Sequence, residues 1–517
     1  MTAPPRRASQ RSLAALAAGL GLLTALSRIP FRSRTLFAWD SANFALALDR
    51  YNVAFHQPQP PGYPVYVASA RVLHALMGDA NAAYVWLSVV ASGLAVTCLT
   101  LAADRLYGRR TAVLAAVLLA TSSLLWGQGV VAYPYAFLTL FSALVAWLCM
   151  LIRESGAAWL VPVTAGAIAL GAGFRSELLP FLSPLWLYAS LSARRSLRDR
   201  LTLLALGFGV MGIVVLAWYV PMVVLSGGWS AYQAASGGYY AYFIQTTSGA
   251  GKLLLGVLEN TRALVGFLYN GLGLALMPMV YFIGRYFSPP RVVADARVRF
   301  VLLWLGPPLV FYVTVHIGNP GYVLSLLPAL SVYAAEAVLG LLEDVREALR
   351  SRGGWVLPAA GLAVAAIGVS NTALFFAANG EGRWKEISQI DRIFERQLAE
   401  IRRAYPPEST LIVAYDRSRQ YRYYLPQHKI ELLFDVAVAG AVTDTSRYWE
   451  RRTTYRVPPG IAAVVFPDLG RNTSDQPGLV ERVDLGAGVD LFVARVRPGD
   501  EVRYGYQYAS AAGGTRT

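Results

Sequence analysis

The run Ala82–Ala103, with the sequence AAYVWLSVVASGLAVTCLTLAA, contains no charged residue and is long enough for a helix that crosses about 30 Å of hydrocarbon. Ten further apolar runs, several of them shorter, predict additional membrane-spanning helices: Leu13–Ile29, Thr111–Trp126, Tyr135–Ile152, Ala158–Phe174, Leu178–Leu191, Leu201–Leu225, Ala263–Ile283, Phe300–Val315, Tyr322–Leu342 and Trp355–Ala377. The sequence therefore predicts an α-helical polytopic membrane protein with about 11 transmembrane helices.

The composition of the chain supports this fold class. Of 517 residues, 55% are hydrophobic and 15% are charged, whereas soluble proteins carry about 25% charged residues. This argues against a soluble enzyme and excludes wholesale disorder. The net charge of +15 comes from arginines that flank the apolar runs, so we expect membrane lipids rather than nucleic acid as partners. Cys98 and Cys149 lie inside apolar runs and indicate neither a disulfide framework nor a metal cluster.

The distribution of arginines predicts the orientation of the spans. If the N-terminus is cytoplasmic and the eleven spans alternate, every strong basic cluster falls on the cytoplasmic side, as the positive-inside rule requires. The short apolar stretch Val65–Met77 is then an external helix lying on or dipping into the membrane surface, not a span. The composition, rich in Ala, Gly and Arg, is typical of a bacterial source, and we expect the plasma (inner) membrane. Four segments are predicted to be external: residues 31–81, 226–262, 316–321 and the tail from 379.

The chain divides into a transmembrane domain (1–378, with the external loop 31–81), an extracytoplasmic domain (379–509) and a disordered Gly/Ala/Thr-rich end (510–517). The extracytoplasmic domain begins with a helical pattern over Ile387–Tyr405 and continues with short buried-strand patterns, an alternation that predicts a small α/β domain. The predicted strands are Leu411–Ala414, Ile430–Phe434, Ala462–Phe466 and Leu491–Val496.

The external loop 31–81 holds the first candidate catalytic residue, Asp40, at the start of a helical pattern over Ser41–Arg50. One interpretation is structural: Asp40 is the N-cap of this helix, and Asn43 stands where a capping box places its second residue. The other is functional: a carboxylate held at the membrane–water boundary accepts a proton from a hydroxyl nucleophile. The two are compatible, because a capping carboxylate can keep one oxygen free.

The proline-rich stretch Pro58–Pro64 predicts a rigid turn that leads into the surface helix. A rigid loop can also hold Asp40 and His56 in fixed positions over a cavity. His56 by itself is equally consistent with a structural or solvated histidine.

Two motifs of this region together resemble a known family. The pattern Asp40-Ser41-x-x-Phe44, followed by Pro60-Pro61-Gly62-Tyr63-Pro64-x-Tyr66, resembles the first external loop of the protein O-mannosyltransferase-like branch of the GT-C membrane glycosyltransferases. The resemblance continues through Trp126-Gly127-Gln128 and Tyr135-Ala136, and it covers roughly the first 150 residues.

The resemblance implies an enzyme that moves a sugar, with mannose a candidate, from a polyprenyl-phosphate carrier to a hydroxyl acceptor on the external face. Asp40 matches the general base of the family, and Gln59, Tyr63 and Tyr135 are carried over as substrate-binding positions. Inversion at the anomeric carbon follows if the acceptor oxygen attacks in line.

Four positions depart from the family pattern. Asn43 replaces the glutamate after Asp-Ser-Gly, Gln59 replaces the histidine of His-Pro-Pro-Gly, and Val131 and Tyr133 stand where acidic residues are expected. The second carboxylate of many relatives is therefore missing. Its loss argues against a divalent cation bridged by two loop carboxylates, because such a cation needs several oxygen ligands, and it leaves metal dependence open.

Further polar clusters are candidates for donor binding. Arg175 and Glu177 lie at the predicted external end of a span, either as a structural pair or with Arg175 holding the carrier phosphate, because a planar guanidinium suits phosphate oxygens. The segment His316–Tyr322 is either a Gly/Pro hinge or a contact to the donor headgroup through His316, Asn319 and Tyr322. Arg71 and Lys252 are weaker candidates for phosphate contact.

The leading hypothesis is thus an inverting glycosyltransferase. A transporter or flippase is the alternative from another class, and it predicts ionisable residues near the midplane of the spans. The ionisable residues gather instead at external span ends and loops, which favours chemistry at the outer interface. The missing second carboxylate keeps a third hypothesis open, a catalytically inactive scaffold with the same fold.

Overall fold

The computed structural model describes residues 7–193, 195–246, 253–350, 353–414, 417–432, 434–435, 450–451, 454–467, 480–497 and 501–503. These residues are mostly helical. The helices are α1 Arg7–Arg28, α2 Trp39–Asp49, α3 Pro64–Met77, α4 Ala80–Tyr107, α5 Arg109–Thr121, α6 Ser123–Gln128, α7 Tyr135–Ser155, α8 Leu160–Phe174, α9 Leu178–Leu191, α10 Leu197–Leu225, α11 Trp229–Thr246, α12 Leu253–Leu272, α13 Leu276–Tyr286, α14 Pro289–Ala294, α15 Ala296–Thr314, α16 Leu327–Ala348, α17 Val356–Ala377, α18 Trp384–Ala404 and α19 Ser418–Tyr424.

The strands all lie in the C-terminal part of the chain. They are β1 Thr410–Ala414, β2 Lys429–Leu432, β3 Phe434–Asp435, β4 Glu450–Arg451, β5 Thr454–Arg456, β6 Ala463–Phe466, β7 Val480–Asp484, β8 Asp490–Arg495 and β9 Glu501–Arg503.

The chain forms two compact units, each made of three stretches of sequence. The membrane unit consists of Met1–Arg32, Tyr63–Met222 and Phe243–Glu386. The loop–tail unit consists of Ser33–Gly62, Val223–Tyr242 and Ile387–Thr517. Most of the loop 31–81, which carries Asp40, therefore folds with the C-terminal residues from 387.

In the membrane unit, α4 packs against α1, α3, α5 and α7. Of these helices, α7 has the largest share of buried residues. Local signals set the helix ends. The Asp79 carboxylate caps the start of α4 by accepting a hydrogen bond from the Ala82 N–H at 2.6 Å, and α4 ends at Gly108, whose φ of 90° suits glycine. Helix α7 follows Pro134 and ends at Gly156 in the left-handed conformation.

Seven helical segments among the described residues have the length and apolar composition of a membrane span: Arg11–Phe31, Ala80–Tyr107, Tyr135–Ser155, Leu197–Leu225, Leu254–Tyr286, Ala296–Thr314 and Val356–Ala377. The chain is a multi-pass membrane protein. The remaining predicted spans coincide with helices that are shorter or more charged. Helices α8 and α9 are apolar but short, the run Thr111–Trp126 is divided between α5 and α6, and α16 contains four acidic residues. The count of eleven spans and the orientation stay predictions.

The loop–tail unit contains the predicted α/β structure. Its five-stranded sheet has the order β2-β1-β6-β8-β7, with β1 parallel to β2 and β6, and with β8 antiparallel to β6 and β7. Helix α18 buries residues at helical spacing, among them Ile387, Ile390, Phe394 and Ile401. The predicted helix and the four predicted strands are confirmed within a few residues. Strand β7 was not predicted, because its sequence alternates Val with charged residues at an exposed edge.

Candidate active site

In the membrane unit, one buried arginine is surrounded by aromatic rings. Helix α8 ends at Phe174, and Arg175 follows in extended conformation with its side chain almost fully buried. The guanidinium carbon lies 4.6 Å from the centroid of the Tyr135 ring, 5.0 Å from that of Tyr322 and 5.5 Å from that of Tyr63. The tyrosine faces stabilise the cation by their quadrupoles. We call Tyr63, Tyr135, Arg175, Glu177 and Tyr322 the arginine cage.

Glu177 is the charged partner of Arg175. The guanidinium Nε donates a hydrogen bond to Glu177 Oε1 at 2.7 Å, and Nη2 donates to the same oxygen. Burial by itself would lower the pKa of Arg175, but the Glu177 carboxylate together with the surrounding tyrosines outweighs burial and holds this pKa well above its ordinary value. The arginine therefore keeps a full positive charge inside a ring of tyrosines. A fixed, weakly hydrated guanidinium of this kind suits a phosphate group.

Three separate segments supply the rings of the arginine cage. Tyr63 has a left-handed backbone with φ of 47° and leads directly into α3, which begins with proline. Tyr135 is the first residue of α7, and Tyr322 lies in the 3₁₀ turn Pro320–Ser325 before α16. The Tyr312 hydroxyl donates to the backbone oxygen of Tyr322 at 2.8 Å and ties this turn to α15.

The segment before Tyr322 contacts the tyrosine rings of the arginine cage. The Asn319 side chain accepts from the Gly321 N–H and donates to Glu381 Oε1, both at 2.8 Å. Gly321 lies directly against the Tyr135 ring. The His316 ring lies edge-on to Tyr322, with 5.9 Å between centroids. Of the three candidates in this segment, only Tyr322 belongs to the arginine cage.

In the loop–tail unit, Asp40 lies half-buried in the first turn of α2. The prediction that Asp40 is the N-cap was wrong, because the helix begins at Trp39 and Ala38 occupies the cap position. The capping-box role predicted for Asn43 was wrong for the same reason. The Ser41 hydroxyl instead accepts from the Ala38 N–H at 3.4 Å.

Asn43 is fully buried and joins two parts of the first loop. In the amide orientation that suits its neighbours, it accepts a hydrogen bond from Trp39 Nε1 at 2.7 Å and donates to the backbone oxygen of His56 at 3.2 Å. The residue that replaces the family's glutamate is thus a neutral link between α2 and His56, just before the proline-rich stretch.

His56 and Gln59 are both buried in the loop–tail unit. Burial, assisted by the positive charge of Arg419, lowers the pKa of His56 to about 3, so the ring is neutral at physiological pH. The Gln59 side chain is only 2% exposed, and neither of its amide atoms has a hydrogen-bond partner among the described residues. A buried amide in this state costs stability, which is typical of a site that is completed by another molecule.

Sequence reasoning missed the C-terminal residues that contact the first loop. Arg419 in α19 is buried, with its guanidinium carbon 5.4 Å from the Trp39 ring centroid and its Nη1 donating to the backbone oxygen of Phe55 at 3.4 Å. Asp391 in α18 is bound to residues 33–35. Both lie more than 350 residues from their partners, and no local pattern marks them.

The structure adds little support for the two other candidates for phosphate contact. Arg71 is exposed on α3, and Lys252 lies outside the described residues. Within the described ranges, no group of three or more His, Cys, Asp or Glu side chains is placed to hold a metal ion. The structure thus brings together Tyr63, Tyr135, Arg175, Glu177 and Tyr322 in one unit, while Asp40, His56 and Gln59 belong to the other.

A comparison with protein families matches residues 57–218 to the family of dolichyl-phosphate-mannose-protein mannosyltransferases. This segment includes Gln59, Tyr63, Arg71, Tyr135 and the Arg175–Glu177 pair. No curated protein sequence matches the chain significantly.

Comparison with solved structures finds the same fold over nearly the whole chain. The structure of ArnT from Cupriavidus metallidurans bound to undecaprenyl phosphate is 13% identical, covers 93% of this chain and 98% of its own, and superposes with a TM-score of 0.60. Its apo state gives 13% identity, coverages of 94% and 98%, and a TM-score of 0.58. The apo oligosaccharyltransferase of Archaeoglobus fulgidus is 11% identical, with coverages of 89% and 70% and a TM-score of 0.50.

These similarities agree with the resemblance carried by the first external loop. The chain therefore has the GT-C fold of the membrane glycosyltransferases that use polyprenyl-phosphate sugars.

Proposed function

We propose that this protein transfers a monosaccharide from a polyprenyl-phosphate carrier to a hydroxyl acceptor at the external membrane face, with inversion of the anomeric carbon. The observation that carries the proposal is the arginine cage, a buried and permanently charged guanidinium in the segment that matches the mannosyltransferase family. The fold shared with ArnT, in a structure bound to undecaprenyl phosphate, supports a carrier of the same chemical class.

In the proposed reaction, Asp40 accepts the proton of the acceptor hydroxyl as the acceptor oxygen bonds to the anomeric carbon. The bond between that carbon and the phosphate oxygen breaks, and the polyprenyl phosphate leaves with one additional negative charge. The guanidinium of Arg175 stabilises this charge, and Glu177 keeps the guanidinium oriented. Gln59 and Tyr63 are the proposed sugar contacts from the proline-rich stretch. His56, which is neutral, contributes hydrogen bonding and no charge.

The proposal also includes the identity of the sugar and the class of the acceptor. Mannose is the first sugar to test, because the matching family is described by it. The acceptor is a hydroxyl of a protein, a lipid or a glycan. Arg71, Lys252, His316 and Asn319 remain proposed donor contacts of lower weight.

The test is transfer of labelled sugar from polyprenyl-phosphate donors by membranes that contain the protein. Asp40→Asn keeps the shape of the side chain and removes its basicity, so transfer falls about a hundredfold or more at equal protein level. Asp49→Asn is the matched control, because Asp49 is an exposed aspartate at the other end of the same helix. Unchanged transfer by Asp40→Asn would rule out Asp40 as the base. Absence of transfer by the parent protein with every donor tested would contradict the proposed function.

A further inference from the structure

The carboxylate of Asp391 is buried against the segment that leads into α2. Its side chain is 2% exposed, and the hydroxyl-bearing residues that face it, Ser33 and Thr35, are also buried. Oδ1 accepts from the Thr35 N–H at 2.9 Å and from the Thr35 hydroxyl at 2.8 Å. The Arg34 N–H lies 3.0 Å from both carboxylate oxygens, and the Ser33 hydroxyl is at 3.4 Å from Oδ1. We call this set of contacts the Asp391 clasp.

Two further contacts from the C-terminal region follow along the same segment. The Tyr424 hydroxyl accepts a hydrogen bond from the Leu36 N–H at 2.8 Å. The Arg419 guanidinium lies over the ring of Trp39. Side chains of α18 and α19 therefore contact the stretch that precedes Asp40 twice, through the backbone of residues 34–36 and through the ring of Trp39.

The chemistry of the Asp391 clasp differs from that of an ordinary surface contact. A carboxylate that accepts two backbone N–H groups and two hydroxyl groups forms charge-assisted hydrogen bonds, which are stronger than neutral ones. Because the carboxylate is buried, breaking these bonds would leave both the carboxylate and its N–H and hydroxyl donors without hydrogen-bond partners. The desolvation cost of these groups would then be uncompensated. The segment has little freedom to move while the bonds are intact, and it has no helix or strand of its own to hold it.

We infer that Asp391 is a positioning residue for the proposed general base. Through residues 33–36 it fixes where α2 begins, and so where Asp40 is placed. The C-terminal region is accordingly part of the framework that positions the proposed base. This inference rests on the proposed function for its catalytic meaning, while the structural role of the Asp391 clasp can be measured without activity.

The structural arm is amide hydrogen exchange of the full-length protein in detergent. Asp391→Asn is expected to speed exchange at residues 34–36 and in the first turn of α2, while the strands of the sheet keep their protection. Glu395→Gln is the matched control: Glu395 lies on the same helix and pairs with Arg34 Nε at 3.1 Å, but this pair is exposed. Exposed ion pairs contribute little, so exchange in the control should match the parent. Unchanged exchange at residues 34–36 in Asp391→Asn would overturn the inference.

The catalytic arm separates positioning from general damage. Displacement of a catalytic group by about 1 Å can cost about a hundredfold in rate, so Asp391→Asn should lower kcat by about tenfold to a hundredfold with little change in the donor KM. In the Asp40→Asn background the same substitution should add no further loss, because the group it positions is already gone. A kcat loss of the same size in both backgrounds would overturn the inference.

A second variant covers the case in which Asp391→Asn does not fold. Thr35→Val removes only the hydroxyl bond of the Asp391 clasp and keeps a side chain of similar shape. It should give the same pattern with a smaller kcat loss, and an unchanged kcat together with unchanged exchange would contradict the inference. If the parent shows no transfer at all, the proposed function fails, while the exchange experiment still decides whether Asp391 holds this segment.

Discussion

A Cβ atom added to Gly321 would lie 2.5 Å from Cγ of Tyr135, so these two residues are in direct contact only because residue 321 is glycine. The approach brings the turn Pro320–Ser325 against the first residue of α7. It also places Tyr135 and Tyr322 on the same guanidinium, with 5.8 Å between their ring centroids.

Gly321→Ala is therefore expected to displace Tyr135 or the turn, because the contact is to a ring atom in a packed core. Overpacking of this kind costs about 1–3 kcal/mol, and displacement of the ring weakens donor binding. The checks are thermal unfolding and the donor KM. Gly212→Ala is the control, since nothing lies within 4 Å of a Cβ at that helical position. Equal effects of the two substitutions would contradict the role assigned to Gly321.

Arg175→Lys keeps the positive charge and removes the planar guanidinium. A compact ammonium cannot pair with Glu177 through two nitrogens while facing three rings, so kcat/KM for the donor should fall about tenfold to a hundredfold. Arg153→Lys is the matched control, because Arg153 also lies over two rings, those of Tyr188 and Phe300, near the far end of α7. A loss of kcat/KM in the control as large as in Arg175→Lys would contradict a specific role of the arginine cage in donor binding.

The histidine of the first loop gives a prediction about pH. The folded protein holds the pKa of His56 at about 3, below its ordinary value of 6.5, so between these pH values the unfolded chain binds a proton that the folded chain does not. Stability is therefore lost as the pH falls below about 6.5, by about 2 kcal/mol between pH 7 and pH 5.

Replacement of His56 by asparagine, which tolerates the left-handed backbone at φ of 53°, removes this component. Thermal unfolding at pH 7 and pH 5 should show a smaller difference for His56→Asn than for the parent. The pH profile of transfer between pH 6 and pH 8 should not change shape, because the buried ring does not titrate there. A histidine-like step in the parent that disappears in the variant would contradict the neutral state of His56.

Substitution of Gln59 is expected to change stability and activity in opposite directions. Its buried amide has no hydrogen-bond partner among the described residues, so Gln59→Met, which keeps the length and removes the polar atoms, should stabilise the resting protein by about 1–3 kcal/mol. If the amide serves a sugar hydroxyl, the same variant transfers sugar more slowly. Thermal unfolding and the transfer assay measure the two effects. A variant that is less stable and equally active would contradict this interpretation.

The general fold could be predicted because its signals are local. Apolar runs gave the helices of the membrane unit, and the 3.6-residue spacing over Ile387–Tyr405 gave α18. Helix starts were less well predicted. Asp40 has the residue type of an N-cap, but the helix begins earlier, at Trp39, whose ring contacts Arg419 of α19, and tertiary contacts can override local preference.

The candidate site could be predicted only in pieces. Arg175 and Glu177 are close in sequence and form a charged pair at the end of an apolar run, and the motif Pro60-Pro61-Gly62-Tyr63-Pro64 contains Tyr63. The convergence of Tyr135 and Tyr322 on the same guanidinium depends on packing between α7 and a turn before α16, which no spacing rule reveals. Asp391 and Arg419 were missed because a lone charged residue in an amphipathic helix has the pattern of a solvated face.

The bond between Thr35 and Asp391 joins residues 356 positions apart, and this separation has a consequence for biosynthesis. At about 5–20 residues per second, a ribosome needs about 20–70 s to synthesise the intervening chain. During that interval the amino-terminal loop has been synthesised but lacks the partner that holds it. A nascent polypeptide that ends before residue 391 consequently carries Asp40, the proposed base, without the carboxylate that holds its segment, so the proposed activity is acquired only after Asp391 has been synthesised.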